Sequence, residues 1–156
     1  MTTLKISLRA GEKIFINGAV LRADRKVSLE FLNNVTFLLE QHVLRPEDTI
    51  TPLRQLYFMI QTAIMEPKSS QEAIVMAGCS IRAAKTVFAN PTVLADLEAV
   101  EGLLERERYY ECLRLLRNLF EIEEHLMRGI SMRDAHAIDE SGLAELELQR
   151  QVVPCR

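Results

Sequence analysis

The sequence has no tryptophan, three tyrosines, six phenylalanines and only three cysteines, at positions 79, 112 and 155. An odd number of cysteines without a Cys-x-x-Cys spacing excludes a disulfide framework as a reading and predicts a reduced, cytoplasmic protein. No apolar run approaches the roughly eighteen residues needed to cross a bilayer. The opening Met1-Thr2-Thr3-Leu4-Lys5 lacks the basic and apolar segments of a signal peptide, so no membrane partner is expected. The six glycines form no GxGxxG, Walker or GxSxG motif. His42, His125 and His136 stand apart, with neither HExxH nor a Cys/His ligand spacing. Glu121 and His125 share a helical face beside Glu124, a spacing that reads as an exposed pair and not as a metal site. Convergent reactive groups are missing. No catalytic residue, no metal site and no cofactor is expected.

What is present is ample apolar material: 48% of 156 residues are hydrophobic and 26% charged, enough for one domain that buries roughly 70% of its unfolded surface. The formal net charge of -3 conceals an asymmetry. Residues 1–30 hold six Lys/Arg against three acids, while residues 96–147 hold fourteen acids against six arginines. The basic and acidic ends suit different partners.

The first forty residues alternate as strands do. Leu4, Ile6 and Leu8 share one face, with Lys5, Ser7 and Arg9 on the other. Gly11 permits a turn into Lys13-Ile14-Phe15-Ile16, and Asn17-Gly18 is a strong type I′ hairpin signal ahead of Ala19-Val20-Leu21-Arg22. Val27 to Phe31 alternates again, and Val35 to Leu39 reads as a fifth strand. At Thr51-Pro52 the period changes: an N-cap and a proline open a helix carrying Leu53, Leu56, Tyr57, Ile60 and Ile64. A second helix follows from Ser69 or Ser70, and Asn90-Pro91 repeats the cap for a third. A fourth is predicted from about Arg106 to Arg128, stopped by Gly129. Its apolar residues cover too much of the cylinder for a surface helix, which points to a central position or an oligomer interface. The expected fold class is α+β: a small N-terminal antiparallel β-sheet of four or five strands (residues 1–44), a helical part of about four helices packed with it (51–129), and a weakly structured C-terminal tail (130–156).

The polar faces of the strands are the informative surface. Lys5, Ser7 and Arg9 project from the first, and Lys13, Phe15 and Asn17 from the second. Arg22, Arg25 and Lys26 crowd the following turn. Cations meet phosphates, an aromatic ring stacks a base, and small polar side chains reach base edges or a 2′-hydroxyl, as single-stranded RNA requires. The candidate RNA-binding residues are therefore Lys5, Arg9, Lys13, Phe15, Arg22, Arg25 and Lys26. The same alternation also keeps exposed strands soluble, and Phe15 would equally suit packing beneath the helices. On the fourth helix Arg106, Arg114, Arg117 and Arg128 share an arc with Tyr110. Glu121 and Glu124 interrupt that arc, so it reads as a salt-bridged, solvated face.

The run Leu4-Lys5-Ile6-Ser7-Leu8-Arg9-Ala10-Gly11-Glu12-Lys13-Ile14-Phe15-Ile16-Asn17-Gly18-Ala19-Val20, with Asp24-Arg25-Lys26-Val27-Ser28-Leu29, Phe37-Leu38-Leu39-Glu40-Gln41-His42 and Thr51-Pro52-Leu53-Arg54-Gln55-Leu56-Tyr57-Phe58, closely resembles the FlbT family of flagellum-biosynthesis repressors. The resemblance runs from residue 4 to about 128 and is densest in the first sixty. It implies a post-transcriptional regulator that binds the 5′ untranslated leader of flagellin mRNA and promotes its degradation, alongside a FlaF-type regulator. Some members of the family activate flagellin expression instead. The first forty residues also loosely resemble the carbon storage regulator, a small RNA-binding dimer, in an alternating strand, Gly-Glu-x-x-x-Ile and a hairpin. The alternative, from the acidic helices, is an adapter that holds flagellin or the FlaF-type regulator. Exposed strand edges further predict a homo-oligomer, taken as a dimer.

Overall fold

Alternation in the first forty residues yields five antiparallel strands: β1 (Leu4–Leu8), β2 (Lys13–Ile16), β3 (Ala19–Arg22), β4 (Val27–Phe31) and β5 (Phe37–Leu39). After Thr51 come α1 (Pro52–Met65), α2 (Ser70–Val87), α3 (Pro91–Glu105) and α4 (Tyr109–Asp134). The computed structural model describes residues 3–134, so most of the expected tail, residues 130–156, lies outside the described residues. The order of strands first and helices after is the α+β architecture expected. The strands divide between two small sheets: β1 pairs with β4, and β2 lies between β3 and β5.

The apolar pattern of β2 accounts for the division. Ile14 and Ile16 point one way, Phe15 the other, so both faces need cover. Ile14 is fully buried against Leu8, Ala23 and Phe37, with Ile6, Ile16, Val27 and Leu29 around it. Phe15, beside fully buried Leu38 in the β2–β5 register, packs on the helical core. The β1–β4 ribbon thus closes one face of the β3–β2–β5 sheet and the helices close the other. Asn17 (φ 47°) and Gly18 (φ 82°) turn the β2–β3 hairpin as its type I′ signature requires. A Cβ at Gly18 would also lie 2.8 Å from Pro67 Cδ, because the hairpin tip rests on the chain leaving α1.

The helix signals act as read at two starts. Thr51 Oγ1 accepts from Arg54 N–H (3.4 Å), and Asn90 Oδ1 accepts from the N–H groups of Thr92 (2.9 Å) and Val93 (3.3 Å). α1 is central, with Leu53, Leu56, Tyr57, Ile60 and Ile64 buried among α2, α4, β2 and β5. The bounds of α4 correct the expectation. Glu107 (φ 59°) turns the chain before Tyr109, and the helix runs through Gly129 to Asp134. A glycine costs a helix about 1 kcal/mol but keeps its N–H, so it does not by itself end one. The apolar excess of α4 is used internally: Cys112, Leu113, Leu116 and Leu119 are buried, and α4 packs on both α1 and α3. The Cys112 thiol is pushed up to about 12 by burial and is free.

Three polar contacts hold the layers in register. Gln61, buried on α1, accepts from Leu44 N–H (2.7 Å) and donates to Leu44 C=O (2.9 Å), fixing the connection between sheet and helices. Tyr57 donates to the His42 carbonyl and accepts from Arg117 (3.1 Å). Glu123, 1% exposed, accepts from Leu53 N–H (3.3 Å) at the start of α1. Its Oε2 meets no donor at hydrogen-bonding geometry. Burial raises the Glu123 pKa above its ordinary 4.5, and Thr51, Leu53 N–H and Arg54 pull against that without cancelling it. Beside it Arg54 bonds Glu124 (2.7 Å) and lies 5.0 Å from the Phe120 ring centroid.

Gln61→Leu should lower unfolding free energy by about 2–4 kcal/mol in urea titrations, because it leaves both polar groups of Leu44 without a partner. Since the folded state favours protonated Glu123, its contribution is complete below the ordinary carboxylate range and declines as pH rises through the raised value. Glu123→Gln, which keeps an acceptor for Leu53 N–H, should therefore melt close to the parent at about pH 4 and above it at about pH 8. Parallel melting curves across that range would refute this assignment.

Candidate nucleic-acid interface

Two turns that are distant in sequence are bonded to each other. Gly11 N–H donates to Ala23 C=O (2.7 Å), and Ala23 N–H donates to Glu12 C=O (2.9 Å). This bracing brings the β1–β2 turn, flanked by Arg9 and Lys13, against the β3–β4 turn that carries Arg22, Arg25 and Lys26. Five of the six candidate cations therefore share one end of the paired sheets. Lys5 stands apart, roughly 13 Å along β1 from Arg9 at the usual strand rise, and directly opposite Glu30.

All six cations are exposed. Among the described residues Lys5, Arg9, Arg22 and Lys26 have no acidic partner within ion-pair distance. Arg25 pairs with its neighbour Asp24 at 3.2 Å. Lys13 lies opposite Arg22 in the hairpin register, a like-charge apposition that destabilises strand pairing. Glu40 relieves it, accepting from Lys13 N–H at 2.9 Å and lying 3.9 Å from Lys13 Nζ.

Where the two sheets meet, Ser7, Arg9, Glu12, Lys13, Lys26, Glu40 and Gln41 line a groove of about 310 Å³. Glu12 accepts from Arg9 N–H (2.7 Å), so each acid in the groove also braces main chain beside a cation. The sequence reading did not find Glu40 and Gln41. The signal lay in a non-local pairing: β5 runs antiparallel to β2 with Leu39 opposite Ile14, and the next step of that register sets Glu40 beside Lys13.

The structure corrects the place given to Phe15. Its ring is half-buried against the helical core and does not project into solvent, because that face of β2 is the one the helices cover. Two of the four arginines read as one arc, Arg117 and Arg128, are engaged. Arg117 donates to Tyr57 and sits 6.0 Å from the Tyr110 ring centroid, and Arg128 reaches Glu124 at 4.0 Å. Tyr110 stacks on Phe37, joining α4 to β5. His125 Nδ1 lies 2.8 Å from the Glu121 carbonyl oxygen, so the exposed pair expected there is a main-chain contact. His42 has its pKa lowered by burial and then by Arg117, which disfavours a cationic imidazole. Among the described residues no group of three His, Cys, Asp or Glu side chains could hold a metal ion, and no helix is long and apolar enough to cross a membrane.

A family model described as "Flagellar protein FlbT" matches residues 4–127. Among curated relatives, the "Probable flagellum biosynthesis repressor protein FlbT" of Rhizobium etli (strain CIAT 652) is 50% identical over 128 residues, covering 82% of this chain and 86% of its own length. The protein of the same name from Agrobacterium fabrum is 47% identical over 134 residues, covering 86% and 90%. That of Brucella abortus (strain S19) is 49% identical over 126 residues, covering 81% and 83%. No solved structure matches.

Proposed function

The chain belongs to the FlbT family, regulators of flagellum synthesis, and from that premise we propose that it represses at the level of the message. In this reading it binds the 5′ untranslated leader of flagellin mRNA and promotes that message's degradation. The observation that carries it is the group of Arg9, Lys13, Arg22, Arg25 and Lys26, gathered by the two bonded turns and exposed to solvent. Lys5 extends the cationic surface along β1. Phosphates on a single strand need such a row, and the family's regulatory role supplies the context. In this reading decay follows from exposing the leader to cellular nucleases or from excluding the ribosome. A dimer belongs to the same proposal. All four β3 residues are exposed at the sheet edge, with Val20 at 59% and Leu21 at 49%, where a second copy can add its own strand.

One observation favours the adapter as a second reading. Between α1 and α2 lies a mainly apolar groove of about 340 Å³ lined by Phe58, Met59, Ala73 and Met76, with exposed Val75 nearby. It suits an apolar helix face of flagellin or of a FlaF-type regulator, and control of flagellin synthesis is then indirect.

Gel-shift titration with a labelled flagellin leader separates the two. Arg9→Glu with Lys26→Glu should weaken binding more than tenfold at about 0.1 M salt and make the salt slope shallower by about 1.4, with circular dichroism unchanged. Unaltered affinity in the double variant, or no protein–RNA adduct after ultraviolet crosslinking of the parent, would favour the adapter.

A further inference from the structure

We propose that the groove between the two sheets seats one phosphodiester of a single RNA strand, and that Glu40 restrains its occupancy by holding Lys13 until a phosphate displaces it. The inference rests on the RNA reading above and adds to it a specific subsite and a gate.

Charge is the first argument. Arg9, Lys13 and Lys26 face Glu12 and Glu40, which leaves a single positive charge in the groove. That residual positive charge attracts the negative charge of a phosphodiester. Arg9 and Lys26 have no ion pair among the described residues, so both can turn toward a ligand without breaking a contact. Ser7, on the outward face of β1, and Gln41 add a hydroxyl and an amide that can reach a ribose.

Geometry is the second. The Lys13–Glu40 separation of 3.9 Å is long for a charge-assisted hydrogen bond, and the two side chains are 47% and 44% exposed. Glu40 is anchored by a different contact, the 2.9 Å bond from Lys13 N–H, which survives if the ammonium swings away. The carboxylate stays in place while the ammonium is exchangeable. A phosphate offers Lys13 a better partner and at the same time experiences repulsion from Glu40. Size is the third: a volume of about 310 Å³ stands at the low end for ligand sites, enough for one nucleotide unit but not for a base pair with its two backbones.

The test is a double-mutant cycle on the full chain, read by fluorescence anisotropy with a labelled single-stranded leader oligoribonucleotide and with the same sequence annealed to its complement. Glu40→Gln preserves an acceptor for Lys13 N–H, so the fold should be retained. It should tighten single-strand binding about fivefold, because Lys13 then meets the phosphate without first leaving a carboxylate. In a Lys13→Gln background the same substitution should gain clearly less, since only the repulsion between Glu40 and the phosphate is then relieved. Ser7→Glu, which adds a carboxylate to the groove without touching the Glu40 anchor, should abolish binding while leaving the melting temperature unchanged. The duplex should bind at least tenfold more weakly than the single strand. An undiminished fivefold gain without Lys13, parent-like binding by Ser7→Glu, or equal affinity for duplex would overturn the groove while the RNA reading stands. If the parent chain does not bind the oligonucleotide at all, the RNA reading itself fails and takes the subsite with it.

Discussion

The burial of β2 on both faces organises the molecule. A four-residue strand with isoleucines on one side and phenylalanine on the other cannot rest on a single layer. The helices take Phe15 and Leu38, and the β1–β4 ribbon takes Ile14 and Ile16. Every later feature depends on that arrangement. It draws β5 alongside β2, which puts Glu40 next to Lys13, and it sends β1 away from β2, which opens the groove between the sheets. Arg9, Lys13 and Lys26 converge because the turns joining the two sheets are bonded to each other through Gly11, Glu12 and Ala23.

Charge is distributed in keeping with this layering. On the helical side several cations are committed to internal contacts: Arg54 to Glu124, Lys85 to Glu101, Arg108 to Glu111, Arg117 to Tyr57. On the sheet side Arg9, Arg22 and Lys26 remain exposed without acidic partners among the described residues. Cations engaged within the fold contribute to packing and position, whereas solvated ones are available to a polyanion. The proposed binding of a message draws on the second kind, concentrated where the two turns are bonded to each other.

Much of the local structure was legible because local rules decide it. Alternation marked β1, β2 and β4, Asn17-Gly18 marked the hairpin, and Thr51-Pro52 and Asn90-Pro91 marked two helix starts almost to the residue. What escaped was decided by contacts distant in sequence. Period-two alternation identifies a strand but not its neighbour, so the choice of β4 over β2 as the partner of β1 was hidden. Phe15 has the same spacing from Lys13 whether it faces solvent or helices, and only the helical layer determines which. The stop assigned to Gly129 failed because glycine weakens a helix without removing a hydrogen bond. Glu123 looked like one more acid on an acidic helix. Its burial follows from where α4 meets α1, which no window of sequence contains.

That meeting has a consequence for synthesis. The first turn of α1 receives part of its capping from a carboxylate encoded seventy positions downstream. On the ribosome the sheets and α1 emerge long before α4, so the N-terminal half waits with an incompletely capped helix and an uncovered apolar flank at Leu53, Leu56 and Tyr57. The chain reaches its finished form only once its late-made acidic helix folds back, and until then the nascent protein presents a surface that the completed one conceals.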